Sequence, residues 1–303
     1  MPIVGWICPI HRDEVSFDHF DTCNALQGRA AYSPWLARFA AEKILKDTRH
    51  LSLDLTATRV LGCPRATYLQ TQFSYHVDPS KRALMDRGTA LHGVAATMMG
   101  DRWGTEHTDL VRMTLVGKLF GHDISAAADA IRKDLGEIVD HKFPSDFSVQ
   151  YRKKKQGRLR LSDKVGGNYV AQLNIERLLL AQQPWAVEAG YDPGNVLLTV
   201  WDHATGSNDP PEPLAVDHVE EDELASFHPS GGDATVVDIV EELTFAKQQE
   251  VVPAQTIVEK EQRAASLLLV GETQMDGKKC ASYCDVEPAC TKLLRKYGRP
   301  AIT

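Results

Sequence analysis

The sequence predicts an α/β fold with a small metal-binding module at its N-terminal end, and three observations lead there. Segments 111–121, 124–131 and 137–143 are short, rich in Val, Ile, Leu and Phe, and partly alternating, which is the pattern of consecutive antiparallel strands. A helical stretch over 168–183 and a strand over 195–202 come next, so helices and strands interleave rather than segregate. In residues 1–30 the apolar content is scattered and the span is too short for a core, yet Cys8, His11, His19 and Cys23 all fall within it. Something other than hydrophobic burial is expected to hold that segment.

The remaining segments follow from local signals. Ser33-Pro34 reads as a cap with proline at the first helical position, opening a helix to residue 46, and 51–63 leads into the main domain. Asp78-Pro79 opens a second helix to residue 99, in which Leu84, Gly88, Leu91, His92 and Ala95 recur at three- and four-residue steps. His92 therefore belongs on its inward face. Residues 152–164 read as a basic loop, and 207–223, with three prolines and many carboxylates, as a solvated loop or insertion. Asp233 is a candidate cap for a helix to residue 248, and one more helix precedes the terminal cysteines.

With 303 residues, 43% hydrophobic and 25% charged, the chain has enough apolar material for a well-buried core, which excludes wholesale disorder. A net charge of −7 argues against a protein that coats nucleic acid through a general basic surface, and leaves room for a local basic track. No apolar run approaches the roughly 20 residues that cross a bilayer, and no basic-then-apolar leader stands at residues 1–10. The expectation is a cytoplasmic protein with no membrane partner. Six cysteines in such a chain point to metal ligation, because the cytosol keeps thiols reduced.

Alternation in the 137–143 strand puts side chains at i and i+2 on one face, so Asp140 and Lys142 point the same way. Together with Asp129 they supply two hard oxygen ligands and a cation. Phosphodiester hydrolysis needs those parts: a divalent ion that polarises the phosphate and lowers the pKa of water, and a nearby positive charge. The competing reading is a lysine that guards a sheet edge. Asp123, after Gly121, competes with Asp129 for the first acid. On the 168–183 helix, Tyr169, Gln172 and Glu176 share one side. His107, His122 and His141 lack such context and read as ordinary polar or surface residues.

Taken in order, Cys63-Pro64-Arg65-Ala66-Thr67-Tyr68, Arg87-Gly88-Thr89-Ala90-Leu91-His92, Ile124-Ser125 followed by three alanines and Asp129, Ile138-Val139-Asp140-His141-Lys142, Gln172 and the triplet Cys280, Cys284, Cys290 resemble the iron–sulfur RecB-like nucleases of the PD-(D/E)XK superfamily. The pattern is similar to the CRISPR-associated Cas-four-type nucleases and to AddB. It covers residues 52–292, after a module at 1–30 and a connecting helix at 31–51, and leaves a tail at 293–303. The resemblance implies a restriction-endonuclease-like core, with a mixed central sheet flanked by helices and closed by a 4Fe–4S cluster on Cys63, Cys280, Cys284 and Cys290. It implies that His92, Asp129 and Asp140 bind Mg²⁺ or Mn²⁺, with the Val139 or His141 carbonyl as a further ligand. Lys142 would serve the attacking water, and Gln172 would orient Lys142 or the DNA. The implied activity is a deoxyribonuclease, chiefly an exonuclease on single-stranded DNA ends, working in recombination, repair, phage DNA processing or CRISPR adaptation. Any helicase would be a separate partner. The chain departs from the family at Ala126, where a glycine is usual, at Glu176, where a tyrosine is usual, and in the three residues between Cys280 and Cys284, where two are usual.

Soft thiolates also suit zinc, which stays open as the occupant of the four-cysteine site. Cys8-X2-His11-X7-His19-X3-Cys23 has zinc-like ligand types in two pairs, with a reduced, metal-free arm as its alternative. Arg152, Lys153, Lys154, Lys155, Arg158 and Arg160 place six positive charges in nine residues. Their field reaches about 10 Å at moderate salt, so they read either as a DNA track or as a solvated loop. The rival to the nuclease is a non-catalytic iron–sulfur or zinc protein that binds DNA or assembles a complex while retaining the nuclease fold.

Overall fold

Glu137 to His141 are all buried because their strand lies inside a six-stranded sheet with a paired neighbour on each side. The computed structural model describes residues 3–8, 10–23, 52–79, 82, 88–94, 104–105, 114–132, 135–142, 158–163, 166–203, 212–229, 233–250, 256–267, 284 and 286–297. The elements in chain order are β1 (Ile3–Ile7), β2 (Glu14–Val15), α1 (His19–Thr22), α2 (Ala57–Val60), α3 (Pro64–Gln72), β3 (Tyr75–Val77), β4 (Gly104–Thr105), β5 (Thr114–Leu119), β6 (His122–Ala127), β7 (Ala130–Arg132) and β8 (Glu137–Lys142). They continue with β9 (Arg158–Leu159), α4 (Gly167–Leu180), α5 (Pro184–Glu188), β10 (Leu197–Asp202), β11 (Glu212–Val216), α6 (Glu221–Ala225), α7 (Val236–Glu250), α8 (Ile257–Ser266) and α9 (Glu287–Tyr297). Residues 88–94, which carry His92, are helical. The fold is mixed α/β, with mixed sheets flanked by helices.

The chain divides into two compact units with interleaved segments: residues 1–53, 63–87 and 242–303 form one, and 54–62 with 88–241 form the other. In the first, β1 is the middle strand of a three-stranded sheet, antiparallel to β2 and parallel to β3. Gly5 sits where no side chain fits, since a Cβ there would strike the Val15 carbonyl and the His76 ring. Ile3, Trp6, Cys8 and Cys23 share one apolar cluster with Leu53, Tyr68, Leu69, Val77, Ala264, Leu267, Val286 and Leu293. Local reading sets residues 1–30 apart, but the parallel β1–β3 pairing gives their apolar side chains a core built from distant segments. Pro64 at the first helical position, after an extended Cys63, starts α3. A capping box between Thr256 and Glu259 starts α8.

The second unit holds the sheet β4-β7-β8-β10-β11-β9 and a separate β5–β6 hairpin. The β8–β10 and β11–β9 pairs are parallel, and the other neighbours antiparallel. Helix α4 packs across β5, β6, β8 and β10, burying Val170, Leu173, Ile175, Leu179 and Leu180. At full burial such side chains each contribute about 1.5–3 kcal/mol, so this face is a principal source of the unit's stability. The β5–β6 turn has positive φ at Phe120 and Gly121, the two-residue geometry whose twist matches a hairpin. The Phe120 N–H donates to the Glu221 carboxylate across 2.5 Å and holds that conformation.

Three local expectations change. The 124–131 segment is not one strand: it breaks at Ala128-Asp129 into β6 and β7, which belong to different sheets. The 207–223 segment contains β11, because Leu214 and Val216 alternate inward among the prolines and carboxylates that hide them. Pro213 is tolerated there since β9 pairs only with Ala215 and Val216. Thr235 rather than Asp233 caps α7: its hydroxyl accepts from the Asp238 N–H, while the Asp238 carboxylate accepts from the Thr235 N–H. The expected 33–46 helix lies outside the described residues.

Candidate active site

Asp129 occupies the break between β6 and β7, where no ladder constrains it, and its carboxylate turns toward β8. Its Oδ2 accepts the His141 backbone N–H at 2.9 Å and lies 3.1 Å from His92 Nδ1. Asp140 and Lys142, two apart on β8, point the same way and pair, with Nζ 2.9 Å from Oδ1 and 2.8 Å from Oδ2. Asp140 is 2% exposed. Its Oδ2, although near that ammonium, has no hydrogen bond of acceptable geometry. Lys142 Nζ also stands 4.9 Å from the centre of the Tyr169 ring on α4, a cation–π contact that fixes the ammonium from its other side.

Burial sets the charge pattern. It pushes the Asp140 carboxyl up to about 7, reinforced by neighbouring Asp129 and opposed by Lys142. Asp129 is also pushed up by burial, but its hydrogen bond to His92 and the charges of His92 and Lys142 outweigh this and hold it at about 2. Burial lowers His92, yet Asp129 more than compensates and the imidazole is raised. Burial likewise opposes charge on Lys142, and Asp140 and Asp129 overcome it and raise the ammonium. Two acids side by side, one ionised and one held near neutrality, form a site that gains from a further cation.

In chemical type the donors, two carboxylates and an imidazole, suit a hard divalent ion, although Asp140 Oδ2 already lies 2.8 Å from the Lys142 ammonium. Asp123, the rival first acid, is exposed in β6 opposite Lys118. Gln172 on α4 donates to Glu176 Oε1 at 3.0 Å. Glu176 is itself 1% exposed, and burial, with the Asp140 charge, raises it well above the usual carboxyl range.

His141 is not a surface residue. It is 4% exposed, its Nδ1 lies 2.9 Å from His203 Nε2, and burial lowers it to about 4. His203, just beyond β10, is absent from any local motif. It reaches the site because β10 runs parallel to β8 with Trp201 opposite His141, a register that only the sheet reveals.

The cysteine sites lie in the first unit. Cys63 caps α3, Cys290 lies in α9, Cys284 precedes α9, and none of the three is in a disulfide. Cys280 lies outside the described residues. Arg65 is fully buried, donates from Nη2 to the carbonyls of Ala265 at 2.7 Å and Leu267 at 3.0 Å, and points Nη1 at Cys290 Sγ, 3.9 Å away. Cys8, His11, His19 and Cys23 converge, with one ligand atom from each all within 4.8 Å of one another, the one such set among the described residues.

Of the basic cluster, Arg152 to Lys155 lie outside the described residues. Arg158 pairs with Asp217, and Arg160 Nε lies 3.9 Å from the same carboxylate, so two of the six charges have an internal partner. No helix among the described residues is long and apolar enough to cross a membrane.

No protein-family model matches the chain, and no curated protein matches it. Among solved structures, the chain is similar to one described as the crystal structure of SSO0001, with a TM-score of 0.40 and 14% identity over 73% of this chain and 96% of that chain.

Proposed function

We propose that this protein is a metal-dependent deoxyribonuclease of the PD-(D/E)XK type, acting as an exonuclease on single-stranded DNA ends. The observation that carries the reading is the pairing of a partly buried acid, Asp129, with the buried Asp140, with His92 on the first and Lys142 on the second at the end of an interior strand. His92, Asp129 and Asp140 would hold Mg²⁺ or Mn²⁺, which when bound supplies charge neutralisation at the phosphate and a lower pKa for water. The chain's own groups do the rest. Lys142 stays protonated, so it acts as a fixed donor that positions water or a phosphate oxygen rather than as a base. Tyr169 and Asp140 hold its ammonium in place. Burial around Asp140 keeps the local dielectric low, where such charges act most strongly.

A 4Fe–4S cluster on Cys63, Cys280, Cys284 and Cys290 is part of the proposal, with Arg65 donating toward the Cys290 sulfur in support. The partners proposed are DNA, a separate helicase, and a recombination, repair or CRISPR adaptation complex. The test is incubation of the purified protein with end-labelled linear and circular single-stranded DNA in Mn²⁺. Degradation of the linear strand, with the circle spared, is the expected result; inertness toward both would overturn the proposal.

A further inference from the structure

We infer that Cys8, His11, His19 and Cys23 form a tetrahedral Cys2His2 zinc site that clasps the central strand of the first unit's sheet. This site is independent of the nuclease chemistry.

The ligand spacing matches a single ion. Tetrahedral zinc with bonds of about 2.3 Å to sulfur and about 2.0–2.1 Å to nitrogen separates a sulfur from a nitrogen ligand by about 3.6 Å. Cys8 Sγ lies 3.4 Å from His11 Nδ1, and Cys23 Sγ lies 4.0 Å from the same atom, which brackets that edge. The two cysteines are 0% and 6% exposed, so the sulfurs face inward. Two thiolates and two imidazoles are borderline-soft donors, which suit zinc and disfavour Mg²⁺ or Mn²⁺.

The backbone also brings the ligands together. Cys8 follows β1 directly, and the loop to β2 folds back on itself: the Cys8 N–H donates to the Asp13 carbonyl and the Arg12 N–H to the Cys8 carbonyl, each at 2.8 Å. Arg12 takes a positive φ of 63° to close that loop. His19 starts α1, and the Cys23 N–H donates to the His19 carbonyl at 2.9 Å, which brings the second pair together one helical turn apart.

The position defines the role. β1 pairs with β2 on one side and β3 on the other, and its Trp6 is fully buried, edge-on to Phe17 with ring centroids 5.2 Å apart. Phe17 lies between the two ligand pairs in sequence. The ion thus fastens the turn after β1 to the segment that packs over Trp6, and acts as a clasp on a shared core rather than as a free-standing finger.

The test uses the full chain purified without chelator, with metal measured by elemental analysis. Roughly one zinc per chain is expected, lost in Cys23→Ser and in His19→Ala, and kept in Cys284→Ser and Lys142→Ala, which separates this site from the four-cysteine site and from the nuclease reading. Zinc absent from the wild type, or unchanged in Cys23→Ser and His19→Ala, would overturn it. Should those variants fail to fold, cobalt exchange into the wild type decides: tetrahedral d–d bands with thiolate charge transfer support the site, and their absence contradicts it. Chelation of the wild type should also lower the melting midpoint of the first unit, whereas an unchanged melt would remove the clasp role.

Discussion

The backbone N–H of His141 donates to Asp129 Oδ2 at 2.9 Å, so the acid at the β6–β7 break is tied to the strand that carries Asp140 and Lys142. This bond gives Asp129 two jobs, structural and chemical, that substitutions can separate. Asp129→Ala leaves a buried N–H without its acceptor and should cost about 1–3 kcal/mol of stability as well as activity. Asp129→Asn keeps an acceptor oxygen and should melt near the wild type while losing activity by about 100-fold or more. Thermal melts and nuclease assays on both variants check this.

Glu176 should make stability depend on pH. Its carboxyl is raised in the fold above the 4.5 of an unfolded chain, chiefly by burial. The folded state therefore holds a proton that the unfolded state releases, and stability falls as pH rises from about 4.5 toward the raised folded value. Glu176→Gln mimics the protonated form and keeps the acceptor for Gln172. The variant should match the wild type near pH 4 and melt higher near neutrality; a pH-independent difference would contradict the burial argument.

Arg65 should prove costly to replace. Removing a buried guanidinium that donates to the Ala265 and Leu267 carbonyls leaves those acceptors without it and the Cys290 sulfur without its cation. Arg65→Met is expected to lose about 3 kcal/mol or more, together with visible absorbance from any cluster. Denaturant unfolding and the absorption spectrum measure the two effects, and an unaltered pair of readouts would remove Arg65 from the account.

Several features of the site are legible in the sequence because they depend on local period. Alternation alone puts Asp140 and Lys142 on one side of β8, and short ligand spacing alone brings Cys8 and His11 together. Features set by register are not legible. His203 meets His141 through the parallel β8–β10 pairing, and Tyr169 reaches Lys142 through the packing of α4 on the sheet. The same limit hides the β1–β3 pairing, whose partners are some seventy residues apart in the chain and share no local signal. β11 is missed for a different reason, since the prolines and carboxylates of the 207–223 segment outweigh two inward apolar residues in any compositional reading.

The most direct measurement compares wild type and Lys142→Ala on end-labelled single-stranded DNA in Mn²⁺, with DNA affinity measured in parallel. Loss of the Lys142 donor should slow cleavage by about 100- to 1,000-fold while binding changes little. Equal cleavage rates in the two proteins would contradict the assignment of Asp129, Asp140 and Lys142 as a nuclease site.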